Sequence, residues 1–182
     1  TLPVVVNERS GDLRERWLEL GTSWLQNRTE WDALPAANGP KEWQRIDVVI
    51  DMAVREGEPG SDSRKVDVVR PVQEIVPAKV EPAVVSNVKI DDDSVSFTVD
   101  KVGVPVLVRV SYFPNWQVSG AKGPYRVAPN MMVVIPTSKQ VSMHFKASFV
   151  DRFAYLLTIA GFVALFVMWR RDRRPEAATA AL

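Results

Sequence analysis

Cysteine is absent from all 182 residues, which excludes a disulfide framework and any thiolate metal site. Histidine occurs once, at His144, so a histidine-rich zinc site is excluded as well. Charge of one sign is lacking too: 23 basic residues against 22 acidic ones leave a net +1. The basic residues form no long stripe with interleaved aromatics, and nucleic acid is not expected as a partner. Neither a glycine-rich phosphate loop nor a nucleophile elbow is present. The opening Thr1-Leu2-Pro3 brings no basic segment and no apolar signal core, so export is expected to depend on sequence ahead of it. What is there is ordinary globular material, 46% hydrophobic and 25% charged, enough to build a core.

One long hydrophobic run stands out near the C-terminus. Phe153 to Trp169 holds no charge, with Asp151-Arg152 before it and Arg170-Arg171-Asp172-Arg173-Arg174 after it. At about 1.5 Å per residue it reaches roughly 25 Å, and Phe149, Val150 and snorkelling arginines extend it toward a hydrocarbon core of about 30 Å. Tyr155 and Trp169 lie near its two ends, where aromatic rings favour the membrane interface. A buried core helix seldom ends in four arginines within five residues, so a membrane span over 149–170 is expected. The positive-inside rule then puts 171–182 in the cytoplasm as a basic tail and the preceding chain outside the plasma membrane.

Residues 84–148 alternate short apolar runs with turn chemistry, which predicts an antiparallel β-sandwich. The strands expected are Val84 to Ile90, Ser94 to Val99, Val104 to Tyr112, Trp116 to Ser119, Tyr125 to Ala128, Met131 to Ile135 and Val141 to Ala147. Its core is expected to use Val95, Phe97, Val106, Val108, Val110, Val133, Ile135, Val141, Met143 and Phe145, with Ser142 and His144 facing water. Asp91-Asp92-Asp93 is expected to supply a turn, and Gly120 and Gly123-Pro124 tight reversals. Residues 1–54 read as a small α+β segment. Leu13, Trp17, Leu20 and Trp24 mark an amphipathic helix over about 13–26, Asp12 to Glu15 resembles a capping box, and Gln44 to Ile50 reads as a strand. Between them, 55–83 reads as a linker, because Gly57 to Ser63 is small and polar while Pro71, Pro77 and Pro82 keep the chain extended. The fold expected is mainly β, with one C-terminal transmembrane helix.

Ser111-Tyr112-Phe113-Pro114-Asn115-Trp116, Val118-Ser119-Gly120-Ala121, Gly123 to Asn130 and Val133 to Thr137 together resemble the C-terminal region of actinobacterial multi-pass membrane proteins. That group looks like the YfhO-type proteins, near the C-type glycosyltransferases that use polyprenyl-phosphate sugars; some members are labelled pyruvoyl-tetrahydropterin-synthase-related. There an aromatic-Pro-(Gly or Asn)-Trp turn precedes the last membrane helix, as Tyr112 to Trp116 precede Phe153 here. The resemblance covers about 84–170 and, more faintly, Trp31 to Arg45. It implies a polytopic protein of envelope polysaccharide or glycolipid assembly whose acidic catalytic residue lies in an early external loop. No position of this chain matches that loop, so no catalytic residue is carried over.

Other acidic groups are better read as surface. Asp91 to Asp93 lack the spacing of a calcium loop. Asp47 with Asp51, or Glu15 with Glu19, have no defined separation for acid and base work. No catalytic, cofactor or metal residue is therefore expected. Tyr112, Trp116 and Tyr125 are the candidates for carbohydrate contact, with partial burial as a structural corner expected of the same rings. Trp17, Trp24, Trp31 and Trp43 read as packing anchors. Two functions stay open: a non-catalytic accessory domain of a glycosyltransferase-like membrane protein, or a binding or scaffold domain held by one helix. The partners expected are the bilayer, the other helices of the longer protein, and a polyprenyl-linked sugar or glycan.

Overall fold

The structure, a computed structural model, describes residues 1–7, 16–27, 29–55, 64–147 and 149–172. The capping box over Asp12 to Glu15 lies outside the described residues, as do Gly57 to Ser63 and the tail from Arg173. In chain order the elements are β1 Val4–Val6, α1 Trp17–Gln26, β2 Pro35–Ala36, β3 Arg45–Ile46, β4 Val48–Arg55 and β5 Arg64–Pro71. Then come β6 Val85–Ile90, β7 Ser94–Val99, β8 Val106–Val108, β9 Trp116–Ser119, β10 Ala121–Val127, β11 Met131–Pro136, β12 Gln140–Phe145 and α2 Phe149–Asp172. The chain is mainly β, as its alternating patterns predict. Thr1–Phe145 forms one compact unit and the chain from Lys146 a second.

Two sheets build the sandwich. One runs β3-β1-β2-β10-β11-β8 and the other β6-β7-β12-β9, while β4 and β5 pair as a separate hairpin. The four-stranded sheet is antiparallel throughout, with Met143 opposite Val95 on one side and Val118 on the other. Alternation fixes its register: Val95, Phe97, Val99, Val141 and Met143 are buried, while Ser142 is half-buried and His144 exposed. These residues pack against Val108, Met132 and Val134 of the larger sheet.

The larger sheet is not purely antiparallel, because β1 pairs in parallel with both β2 and β3. It also crosses the boundary expected near residue 83, since Val127 of β10 pairs with Ala36 of β2. Residues 1–54 and 84–148 are thus not separate domains. One face of this sheet is covered in two halves. Beneath β1 and β3, Val4, Val6 and Ile46 meet Trp17 and Leu20 of α1 and Val48 and Val69 of the hairpin. Beneath β8 and β11 lies the four-stranded sheet. The opposite face buries Val5, Ala36, Trp43, Val127 and Val133.

That third cluster corrects the expected core. Met132 and Val134, not Val133 and Ile135, face the sandwich interior; Val133 points to the other side with Trp43, and Ile135 is half-buried there. The run Met131-Met132-Val133-Val134-Ile135 is continuous because β11 is covered on both faces, and such a run shows no alternation from which to read a register. Phe145 is 40% exposed rather than buried, and Val106 and Val110 are half-buried.

The expected linker over 55–83 also gives way. β5 occupies Arg64–Pro71 and pairs residue by residue with β4. Beyond it Ile75 is buried, and two glutamines hold the chain in place. Gln44 donates to the Glu74 carbonyl and accepts from the Val76 amide, each at 2.7–2.9 Å, while the Gln73 oxygen accepts from the Asp47 amide at 2.6 Å. The Leu2 amide donates to the Ala78 carbonyl at 2.8 Å. Proline keeps this stretch extended, but an extended chain lined with amide partners lies against the body instead of swinging free.

α2 is 24 residues long, about 36 Å at helical rise, and its Phe149–Arg171 portion is long and apolar enough to cross a membrane. None of that stretch is buried in the described chain, which separates it from the core helix of a soluble protein. Thr158 turns its hydroxyl back onto the Ala154 carbonyl at 2.9 Å, leaving no unpaired donor on the helix surface at that point.

Candidate functional site

The three rings expected to contact carbohydrate do not form one platform. Trp116 is only 7% exposed and donates its indole N–H to the Ser111 carbonyl at 3.2 Å, so it is a packed corner rather than a sugar shelf. Half-buried Tyr112 packs with Trp116 on the sandwich core. Tyr125 belongs to the opposite face of β10, edge-on to Trp43 with ring centroids 5.3 Å apart. Each ring keeps an accessible edge at most, because aromatic area contributes more to the core than it would to a wet surface.

Between Tyr112 and α1 lies a group that the sequence does not single out. The Arg126 guanidinium sits 4.8 Å from the Trp17 ring centre and 5.7 Å from that of Tyr112, and its Nε donates to the Asn130 side-chain oxygen at 3.0 Å. Trp17 in turn donates its indole N–H to the Pro129 carbonyl at 2.7 Å. Arg126 thus stands at the seam between the two halves of the covered face. Burial pushes its pKa below the ordinary arginine value, and Tyr112 pulls it back up. It remains charged at neutral pH, and the stacked rings compensate its lost hydration. Nothing in the spacing of Trp17, Tyr112 and Arg126 announces this stack, which needs β10 to carry Arg126 to the face opposite Tyr125.

Other acidic candidates are engaged or solvated. The Asp47 carboxylate accepts from the Asn7 amide at 2.7 Å and from the Gln73 amide at 2.9 Å. Asp51 lies 4.0 Å from Arg70, which also faces Glu30 at 3.8 Å. Asp91 to Asp93 form the exposed turn of the β6–β7 hairpin, with the Asp91 amide donating to the Ser94 carbonyl at 2.9 Å. Glu15 is outside the described residues, and Glu19 is half-buried on α1. No group of three or more histidine, aspartate or glutamate side chains suited to a metal occurs among the described residues.

Two open clefts lie among the described residues. One, of about 1030 Å³, lies along β1, β3 and the start of β4, where Arg45 and Asp47 are its charged groups. The other, of about 820 Å³, is lined by Trp24, Leu25, Leu34, Leu107 and Met131 with Asp32 and Arg109. Neither brings a carboxylate pair together with a nucleophile. The tryptophans of the N-terminal third are anchors: Trp24 donates to the Ala33 carbonyl at 3.1 Å, Trp31 to that of Val69 at 3.2 Å, and Trp43 is buried. No family model matches this chain, and no curated protein and no solved structure matches it.

Proposed function

We propose that the chain is a membrane-anchored extracytoplasmic β-domain, the non-catalytic C-terminal accessory part of a polytopic, glycosyltransferase-like protein of envelope polysaccharide or glycolipid assembly. The observation that carries the anchoring is α2, apolar and exposed from Phe149 to Arg171, with Arg170 and Arg171 in its last turn, Arg173 and Arg174 next in sequence, and Arg152 alone near its start. Apolar surface of that extent is stable in lipid, and the arginine excess favours an inside C-terminus. The accessory role draws on the site chemistry: the carboxylates near the clefts are held in structural hydrogen bonds or lie in water. The link to sugar assembly rests on the resemblance of the Tyr112 to Trp116 turn and the segments after it. Any glycan contact would fall to the edges of Tyr112 and Tyr125 rather than to Trp116.

The test is transfer from polyprenyl-phosphate sugars by the full chain in vesicles, beside a longer protein of this kind with and without the region. The reading expects no turnover by the chain alone and reduced turnover when the region is deleted. Turnover by the chain alone, or full activity after deletion, would overturn it.

A further inference from the structure

We propose that the exposed aromatic corner made by Phe113 and Phe145 is a lipid-contacting surface that seats the β-domain in the headgroup layer of the membrane crossed by α2. Phe113 is 53% exposed and Phe145 40%, and their rings meet edge to face with centroids 6.1 Å apart. Behind them Trp116 is buried, 5.7 Å from the Phe145 ring. Two phenylalanines left together in water are unfavourably placed, whereas the interface between headgroups and acyl chains accepts such rings.

The corner is rigid. Phe145 closes β12 opposite Trp116 of β9, its amide donates to the Asp93 carbonyl at 2.7 Å, and the Trp116 amide donates to the Phe113 carbonyl at 3.2 Å. Covalent reach then limits where it can be. Only Lys146, Ala147 and Ser148 stand between Phe145 and Phe149, the first residue of α2, and four Cα steps extend at most about 14 Å. The headgroup layer on one side of a bilayer is roughly 5–8 Å thick, so a tether of this length lets Phe145 reach it. Charge selects the lipid. Asp91, Asp92 and Asp93 share this end of the sheet with two ammonium groups nearby in sequence, at Lys89 and Lys146, which leaves the acidic side in excess, so a zwitterionic surface of no net charge suits the corner better than an anionic one.

The inference rests on α2 spanning the membrane, and the experiment separates the two. Because the chain lacks cysteine, nitroxide labels can be placed singly in the full chain, at Phe113→Cys, Gln117→Cys, Lys139→Cys and Gly161→Cys, and reconstituted in phosphatidylcholine vesicles. Lys139 is exposed and adjoins the far end of β12, roughly 20 Å away along six residues of strand. Gln117 is exposed and leaves all three rings in place, so it decides the matter if the Phe113 variant misfolds. The ratio of collision with oxygen to collision with a water-soluble nickel chelate should be highest at Gly161, intermediate at Phe113, lower at Gln117 and lowest at Lys139. Equal, water-like ratios at Phe113, Gln117 and Lys139 with a high ratio at Gly161 would overturn the corner's role and leave the span intact. A water-like ratio at Gly161 would overturn both. Spin–spin broadening at Phe113 that vanishes on dilution with unlabelled chain would assign the surface to a second copy and likewise overturn the proposal.

Discussion

Replacing Val133 by alanine asks directly whether the larger sheet is buried on both faces. Val133 is 3% exposed and Val134 0%, on opposite sides of β11. Val134 packs in the sandwich with Met132 and Val108; Val133 packs with Val5, Trp43 and Val127, elements contributed mainly by the first third of the chain. Each substitution removes two carbon groups, about 1.6 kcal/mol of transfer energy, and the unfilled space adds roughly 1 kcal/mol, so ~2–3 kcal/mol is expected at either site. A sandwich over 84–148 that kept Met132 and Val134 inward but stood free of the first third of the chain would leave Val133 facing water, and its replacement would then cost less than about 0.5 kcal/mol. Urea unfolding in mild detergent, followed by the emission of Trp17, Trp24, Trp31, Trp43 and Trp116, measures the difference, and unchanged slopes would show that the same unit is unfolding. A Val133→Ala variant as stable as the parent chain, beside a Val134→Ala variant destabilised by about 2 kcal/mol, would refute the two-faced burial.

Other expectations follow from single sites. Arg126→Ala should lose about 2–3 kcal/mol in the same unfolding assay, since a charge-assisted hydrogen bond to Asn130 and two ring contacts go together; Arg126→Lys should recover part of it. Burial lowers the Arg126 pKa, so the stability contributed by this group rises only as pH passes upward through its folded value, and it should be flat between about pH 6 and pH 9. Gly120, at φ +78°, has the Gln140 carbonyl where a Cβ would go, so Gly120→Ala should cost more than about 2 kcal/mol, whereas Gly103→Ala, at φ +81° but in open space, should cost only the ~1–2 kcal/mol of the left-handed backbone. His144→Ala, on the wet face of β12, should stay within about 0.5 kcal/mol of the parent chain in thermal or urea melts.

Local pattern made the four-stranded sheet legible. Ser94–Val99 and Trp116–Ser119 have the limits that alternation and turn residues predict, and Val141 and Met143 point inward as expected. Longer-range features left no such trace. β8 shortens from the expected Val104 to Tyr112 to Val106–Val108, because the chain then leaves the sheet and the Tyr112 amide donates to the Asn130 carbonyl. β10 begins earlier than expected, at Ala121, since Gly123-Pro124 marks an irregularity within a paired strand and not a reversal. β1 is three valines long, too short to show a period, and its parallel partners lie about 30 to 40 residues away. β5 did carry a signal in the alternation of Lys65, Val66, Asp67 and Val68, which the neighbouring prolines and polar residues outweighed. At the candidate site, the cluster of Tyr112, Trp116 and Tyr125 was visible, but sequence proximity could not say that Tyr125 faces away from the other two.

The central claim is that α2 crosses the membrane with the β unit outside, and cysteine accessibility tests it most directly. A single cysteine at Ser86, exposed on β6, and another at Thr179, beyond the arginines, would be probed with a membrane-impermeant maleimide. The account predicts reaction at Ser86→Cys in intact cells and at Thr179→Cys only after the membrane is broken. Reaction at Thr179→Cys in intact cells, with Ser86→Cys protected until lysis, would contradict it, and equal reaction at both sites would show that α2 does not span.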